Sequence, residues 1–447
     1  MAWEQLEQLI EQEDHSALVE LLHSLSAAEL ARAFSRLGED DRAKLLTLLE
    51  AEHAADIIAQ LSDAQSADLL EELPAEVAAD ILEELDSDQR ADLLGEIDAT
   101  DAEAILQHME PEEAADARML LNYPADTAGG LMVTEFLAFP MAWKVSDVVR
   151  NLHDHAREYA DYSIQYAYTV SDHGRLVGVL RLRDLLLSED EVPLSSLMIA
   201  NPIYVLHTAT LDELEQTFAR YPFVGLPVVE PDGRIIGVVR RLDTEEALGD
   251  RQEQAFMRFG GIITGEELRS MPLFERSFRR LLWLVINLAL SLLAVTVIDQ
   301  FHATLEAVIA LAVFIPVVAN LSGCAGNQAV TVSIRELSLG LITTEDYVRV
   351  IAKESQVGLI NGLCLGTLLA GVSYLWKHNL ALSLVVGVAL AANSVIALAL
   401  GGSIPLIVRK IKMDPALASP PLLTTITDMC AFFLVLSIAA AVLTHLV

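Results

Sequence analysis

Residues 421–447, PLLTTITDMCAFFLVLSIAAAVLTHLV, constrain the fold of this chain more than any other stretch. About 20 mainly apolar residues, rising about 1.5 Å each, cross the hydrocarbon of a bilayer, and this segment has that length. One carboxylate, Asp428, sits inside it, and Thr424, Thr425 and Thr427 extend a polar face towards it. A carboxylate at membrane depth costs about 2.5–3.5 kcal/mol on insertion scales, so it faces protein or water and marks an ion or proton path. The competing reading puts Asp428 in a helix end at the membrane surface, shallow and merely solvated.

Four other apolar segments precede this one, at about 279–298, 304–334, 355–376 and 380–408, which with 421–446 makes five spans. With the N-terminus inside, five crossings leave the C-terminus outside. Arg279, Arg280, Arg335, Arg349, Lys353, Arg409, Lys410 and Lys412 then fall in inner loops and only Lys377 falls outside, the asymmetry expected of a plasma (inner) membrane protein.

A net charge of −35 alongside 53% hydrophobic residues is possible only if the charge is segregated. Of the 64 acids and 29 bases, only eight acids and nine bases lie beyond Ser277. An acidic soluble part therefore precedes a nearly neutral membrane part. Such an acidic surface excludes nucleic-acid binding and suits divalent cations. The beginning, MAWEQLEQLIEQED, has neither a basic stretch nor an apolar run, so no cleaved signal peptide is expected. Cys324, Cys364 and Cys430 all fall in the apolar half without metal-ligand spacing, and no disulfide framework is indicated.

Within residues 1–125 apolar side chains recur every 12 residues at Leu49, Leu61, Leu73, Leu85, Ile97 and Met109. Between them the text repeats as AADII, SADLL, AADIL, RADLL and AEAIL. Each unit reads as a short helix, with Asp63, Pro74 and Asp86 to Asp88 as breaks or caps. One such helix cannot bury its face alone, so an α-helical superhelix is predicted. Its acids are either a solvated face or ligands of a cation shared with a neighbouring domain.

Residues 126–242 hold two α/β modules: DHGRLVGVLRLRDLL (172–186) and PDGRIIGVVRRLDTE (231–245) are the same text displaced by 59 residues. Each has a glycine turn, an apolar strand and a helix start, with another strand upstream at 164–170 and 223–229. This resembles a CBS-domain pair. That likeness implies adenine-nucleotide binding, such as ATP, between the modules, with Asp184 at the ribose, Arg183 beside it, and Tyr166 and Phe223 flanking the base. Otherwise Arg183 and Asp184 are a surface base and a helix cap. Residues 243–277 read as a polar helix, a Gly260–Gly261 break and a short amphipathic helix, serving either as a gate or as a passive linker.

The transmembrane domain, 278–447, carries a second informative stretch in its second span, FIPVVANLSGCAGNQAVTV. Pro316 removes a backbone donor, Gly323 and Gly326 permit non-helical backbone, and Asn320, Asn327 and Gln328 supply amides. Irregular backbone at membrane depth survives only where protein or a water-filled cavity satisfies it, which makes this break a pathway lining. The alternative is a glycine packing face with amides joining helices, the role expected of Asn287, Asn361 and Asn393. One Asp per chain is a poor dication site, whereas a homodimer brings two Asp428 carboxylates together.

Taken whole, the architecture resembles the MgtE family of magnesium channels, with local matches in DTAGGLM (126–132), AGNQ (325–328) and DPALASPPLLTTITD (414–428). The resemblance implies a homodimeric Mg²⁺ channel in the bilayer, not an enzyme, which closes when cytoplasmic Mg²⁺ is high. It implies that Asp428 is the pore ligand, with Pro316, Asn320, Gly323, Gly326, Asn327, Gln328, Thr424 and Thr425 lining the pore. It makes Asp56, Asp88 and Asp92 sensor acids of the helical domain, and Asp212, Asp243 and Glu246 their partners. A carrier exchanging a divalent cation (Mg²⁺, Mn²⁺ or Co²⁺) for H⁺ or Na⁺ is the other transport reading. The family's GGNxG text appears as Ser322-Gly323-Cys324-Ala325-Gly326, its connecting-helix acids as Arg251, Gln254 and Ala255, and a second-module acid as Pro222. Gating by Mg²⁺ is accordingly expected to be weaker or to rest on fewer ions.

Overall fold

The computed structural model describes residues 2–34, 36–157, 159–160, 162, 165–262 and 273–442. It divides into two compact units, Met1–Arg251 and Gln252–Val447.

The first unit opens with ten short helices. After α1 (Ala2–Gln12) come α2 (His15–Ser24), α3 (Ala27–Phe34), α4 (Glu39–Leu48), α5 (Ala51–Ile58), α6 (Asp63–Glu72), α7 (Ala75–Glu83), α8 (Ser87–Glu96), α9 (Ala99–Leu106) and α10 (Pro111–Leu120). From α2 onward every helix starts 12 residues after the last, so the repeat reaches back to His15, through Leu25 and Leu37, which continue the 12-residue series. Two kinds of connection alternate. The residue after α2, α4, α6 and α8 (Leu25, Leu49, Leu73, Ile97) is extended, while that after α5, α7 and α9 stays helical. The structural unit is therefore a 24-residue helix pair. From α4 onward each helix packs on the one two places along, such as α5 on α7, α6 on α8 and α8 on α10, and the superhelix has one continuous core from Leu6 to Ala117.

Two four-stranded sheets follow. One contains β2 (Leu137–Pro140), β3 (Tyr166–Val170), β4 (Leu176–Arg181) and β5 (Ile199–Ala200), in that order. The other runs β1 (Met132–Val133), β8 (Ile235–Arg240), β7 (Gly225–Val229), β6 (Val205–Leu206). β2–β3 and β6–β7 are parallel and the other pairings antiparallel. Helices α11 (Val145–Asp154), α12 (Leu182–Leu186), α13 (Leu194–Leu197) and α14 (Leu211–Arg220) complete the modules. Each sheet borrows its antiparallel edge strand from the segment leading into the other module. The 59-residue repeat becomes a pseudo-two-fold axis: the Leu176 amide donates to the Gly233 carbonyl at 2.9 Å and the equivalent Ile235 amide to Gly174 at 3.4 Å. Gly174 (φ 72°) and Gly233 (φ 87°) make the turns that allow this meeting. Ile164, expected to begin β3, lies outside the described residues.

Helix α15 (Arg241–Phe259) continues directly from β8, and the division between units falls within it. The second, amphipathic helix expected in the connector falls largely on residues outside those described. Among its described residues the second unit contains five helices long and apolar enough to cross a membrane: α16 (Leu273–Gln300), α18 (Ala310–Ser338), α19 (Tyr347–Lys377), α20 (Leu380–Lys410) and α21 (Pro415–Ala441), with the short α17 (His302–Ala307) between the first two. Most of the apolar side chains of α16 are exposed, whereas α20 is packed by α18, α19 and α21.

The expected break in the second span is absent: α18 is helical throughout, through Pro316, Gly323 and Gly326. Gly326 serves contact rather than irregularity, whereas a Cβ on Gly323 would meet nothing within 4 Å. A Cβ on Gly326 would lie 2.9 Å from Leu423 of α21 and 3.0 Å from the Ala397 carbonyl of α20. The same device seats α19 on α20, where Gly358, Gly362 and Gly366 face Val395, Ala391 and Gly387.

Candidate functional site

Four of the six predicted sensor acids converge. Asp88 and Asp92 project from α8, and Asp243 and Glu246 from the start of α15. Together with Asp63 of α6 and Asp250 they line a pocket of about 140 Å³ between the helical domain and the second module. The sequence marks Asp63 only as a helix break or cap and gives Asp250 no role, because nothing local distinguishes them from the other repeat and helix acids. The other two predicted sensor acids lie elsewhere. Asp56 lines a small hollow inside the helical domain with His53 and Gln60, and Asp212 forms an ion pair of 2.8 Å with Arg251. Arg251 thus meets as a partner an acid that was expected to hold metal.

The pocket is electrostatically loaded. Burial pushes Asp88 up to about 7; the Asp243 and Asp86 charges add to the rise, and Arg240 opposes it. Burial likewise raises Asp92 to about 7, helped by Asp63, Asp88 and Glu96. Asp63 is raised by burial and then by Asp250, Glu96 and Glu246. These carboxylates repel one another as they ionise, which is the condition a dication relieves. Among the described residues no three His, Cys, Asp or Glu groups stand close enough together to hold a metal ion.

Beside the pocket the helical domain is joined to the modules by polar contacts. The Ser87 hydroxyl donates to Glu135 at 2.7 Å and accepts from the Thr134 amide at 2.9 Å, while the Thr134 hydroxyl donates to Asp116 at 2.6 Å. Arg240, the last residue of β8, donates to Asp243 at 2.7 Å, Asp86 at 2.5 Å and Asp88 at 3.1 Å. Arg90, 3% exposed, is held by the Leu82, Glu83 and Leu85 carbonyls and by the Glu113 carboxylate.

A larger cavity, about 380 Å³, opens between the modules against Phe136, Tyr166, Tyr168, Val224, Leu242 and Asp243. Of the predicted nucleotide residues only Tyr166 lines it. Asp184 is bound by Arg181 at 2.7 Å and Arg183 at 3.5 Å at the exposed start of α12, and Phe223 stacks on Tyr221 with ring centroids 5.3 Å apart. Leu242 and Asp243 border the cavity at the positions that match Arg183 and Asp184 in the 59-residue repeat.

In the second unit, Pro316, Asn320, Cys324 and Gln328 form an exposed i, i+4 stripe on α18. On the neighbouring α21, Thr424 is exposed and Asp428 half-buried one turn on. Asn327 turns partly inward with its amide oxygen buried and unpartnered. Three residues expected to line a pathway lie inside the protomer instead: Gly323 and Gly326 are buried on the packed side of α18, and the Thr425 hydroxyl donates to the Pro421 carbonyl at 2.8 Å. Of the three amides expected to join helices, Asn393 does so, donating to the Thr427 carbonyl of α21 at 3.2 Å, while Asn287 bonds within its own helix. At the near end, Arg258 of α15 pairs with Asp414 at 3.2 Å, and Asp414 caps α21 through the Ala416 amide. Phe259 packs among Val330, Ile404, Val408 and Leu423.

Five apolar spans, a superhelix of acidic repeats and a CBS pair are the parts of a multi-domain membrane transporter, and the sequence matches place it among them. Residues 25–126 match the MgtE intracellular N domain, 194–249 the CBS domain, and 315–438 the divalent cation transporter domain of MgtE. The chain is 33% identical to the magnesium transporter MgtE of Bacillus subtilis, over 72% of this chain and 71% of that one. It is 34% identical to the magnesium transporter MgtE of Thermus thermophilus, over 74% and 73% of the two chains. The crystal structure of the cytosolic domain of the Mg²⁺ channel MgtE in complex with ATP matches with a TM-score of 0.51 and 32% identity, covering 55% of this chain and all of that one. The chain belongs to the MgtE family of divalent cation transporters.

Proposed function

We propose that the chain forms a homodimeric channel for Mg²⁺ uptake across the plasma (inner) membrane, with its first unit cytoplasmic and the end of α21 outside. The observation that carries this is the polar stripe on α18 beside Thr424 and Asp428, uncovered on a single protomer. Amides and a carboxylate facing hydrocarbon are costly, so a second protomer and water are the natural cover. Two Asp428 carboxylates match the charge of a dication. Mg²⁺ dehydrates reluctantly, so Asn320, Gln328 and Thr424 serve it through its waters. The relatives named as magnesium transporters and a Mg²⁺ channel support Mg²⁺ as the ion. Replacing Asp428 by Asn or Ala is expected to abolish rescue of a Mg²⁺-auxotrophic strain; undiminished rescue would remove the pore assignment.

Gating follows from the acidic pocket. Mg²⁺ bound among Asp63, Asp88, Asp92, Asp243, Glu246 and Asp250 offsets their repulsion and favours the arrangement in which the helical domain sits on the second module. Helix α15 begins at that pocket, and its far end is tied to α21 through Arg258 and Asp414. An occupied sensor thereby biases the helix that leads to the pore. ATP, bound by the solved relative, is assigned to the cavity bordered by Tyr166, Leu242 and Asp243.

A further inference from the structure

We infer that Arg240 is a resident cation that holds the helical domain against the second CBS module without Mg²⁺, so that closure in this chain has a metal-independent component. The inference rests on the Mg²⁺-linked closure proposed above and specifies what regulates it. The geometry is that of a guanidinium fork fully used: Nε serves Asp243 of its own module, and Nη1 and Nη2 serve Asp86 and Asp88, which flank the start of α8. One side chain therefore joins two domains whose facing surfaces are otherwise acidic. Arg240 is 24% exposed and Asp88 9%, so the pairing is shielded from solvent and salt.

The internal repeat supplies the comparison. Arg181 and Asp184 occupy the matching places in the first module, with the same 2.7 Å contact. Arg181 is 50% exposed and pairs with no other carboxylate among the described residues. The arginine–aspartate pair is thus a property of the module, and only its second copy has recruited two acids of the helical domain. A guanidinium carries its charge at any physiological pH and at any Mg²⁺ concentration. The divalent ion then acts on the rest of the pocket, at Asp63, Asp92, Glu246 and Asp250 and the second carboxylate oxygens of Asp88 and Asp243, on an interface already partly closed.

The test is limited proteolysis between α10 and β2 in the full-length protein, in EDTA and in millimolar Mg²⁺. Wild type is expected to be cut slowly in EDTA and more slowly still in Mg²⁺. Arg240→Gln leaves three carboxylates without their cation and is expected to be cut at least about tenfold faster in EDTA, because an unpaired part-buried charge shifts an opening equilibrium by more than a decade. Mg²⁺ should return it to the wild-type rate, and Arg240→Lys should fall between. Asp86→Asn removes one arm from the opposite domain, leaves the module's own pair intact, and should show the same pattern more weakly if Arg240→Gln fails to fold. Wild type cut as fast in EDTA as Arg240→Gln, or both variants as protected as wild type, would overturn the resident cation and leave Mg²⁺ sensing standing. Protected wild type with a variant that Mg²⁺ cannot rescue would retain the resident cation and remove the Mg²⁺ sensor.

Discussion

Asp88 and Asp92 stand one turn apart on α8, and each keeps its proton to about pH 7 where a free aspartate loses it near 4. Burial is the main cause of both shifts, and its sign decides the pH behaviour. Between the two values the folded form binds more protons than the unfolded chain, so raising pH through that window weakens the docking of α8 on the modules. Once ionised, the same pair becomes a better cation site. Protection of the first unit by Mg²⁺ should therefore be larger at pH 8 than at pH 6, read as the ratio of protease rates with and without the ion. An equal ratio at both would show that Asp88 and Asp92 take no part in binding. The four acids named from sequence that do meet here were legible because family motifs carried them. Asp63 and Asp250 were not, since an acid at the start of a repeat helix looks like any cap and one in the middle of a polar helix looks like a solvated side chain. Arg240 was also passed over, although aligning the two modules puts it in the place of Arg181, three residues before an aspartate in each case.

At the scale of elements, sequence period translated directly into structure in the helical domain and less so in the membrane. The 12-residue apolar series predicted the short helices and their stacking into a superhelix, but not that each packs on the one two places along. The alternation that makes the true unit 24 residues depends on whether the connection is extended or helical, and the apolar series runs through both kinds of connection as Leu, Ile or Met. In α18 the same residues, Pro316, Gly323 and Gly326, support either a broken helix or a close crossing, and only the partner helix decides. With Leu423 and the Ala397 carbonyl against Gly326, the crossing prevails. This makes the glycines testable by volume. A Cβ on Gly362 would come within 2.6 Å of the Ala391 carbonyl, whereas one on Gly371, on the same helix, meets nothing within 4 Å. Gly362→Val should destabilise the protein by about 1–3 kcal/mol, the usual cost of overpacking, and lower its unfolding temperature in detergent. Gly371→Val should leave that temperature unchanged, and equal losses in the two would argue against the α19–α20 crossing.

For the whole molecule, charge segregation made the division into soluble and membrane parts readable, whereas the proposed dimer would leave no mark within one chain beyond an uncovered face. That face carries a reporter, Cys324, which lies on the exposed stripe between Asn320 and Gln328. Cys364, exposed on α19, stands between the exposed Ile360 and Leu368 four residues to either side, with only the uncharged Asn361 and Thr367 as polar neighbours on that face. If two protomers close a water-filled path over the α18 stripe, Cys324 is exposed to water and ions while Cys364 faces lipid, where a thiolate does not form. In protein keeping Cys324 as its sole cysteine, a membrane-impermeant cationic thiol reagent should modify it and reduce Mg²⁺ flux into proteoliposomes severalfold, because the added positive charge sits in the path of a dication. Protein keeping only Cys364 should resist the same reagent and conduct normally. Labelling of Cys324 only by a lipid-soluble maleimide, with flux intact, would place the stripe against lipid and remove the reason for pairing two Asp428 carboxylates around one ion.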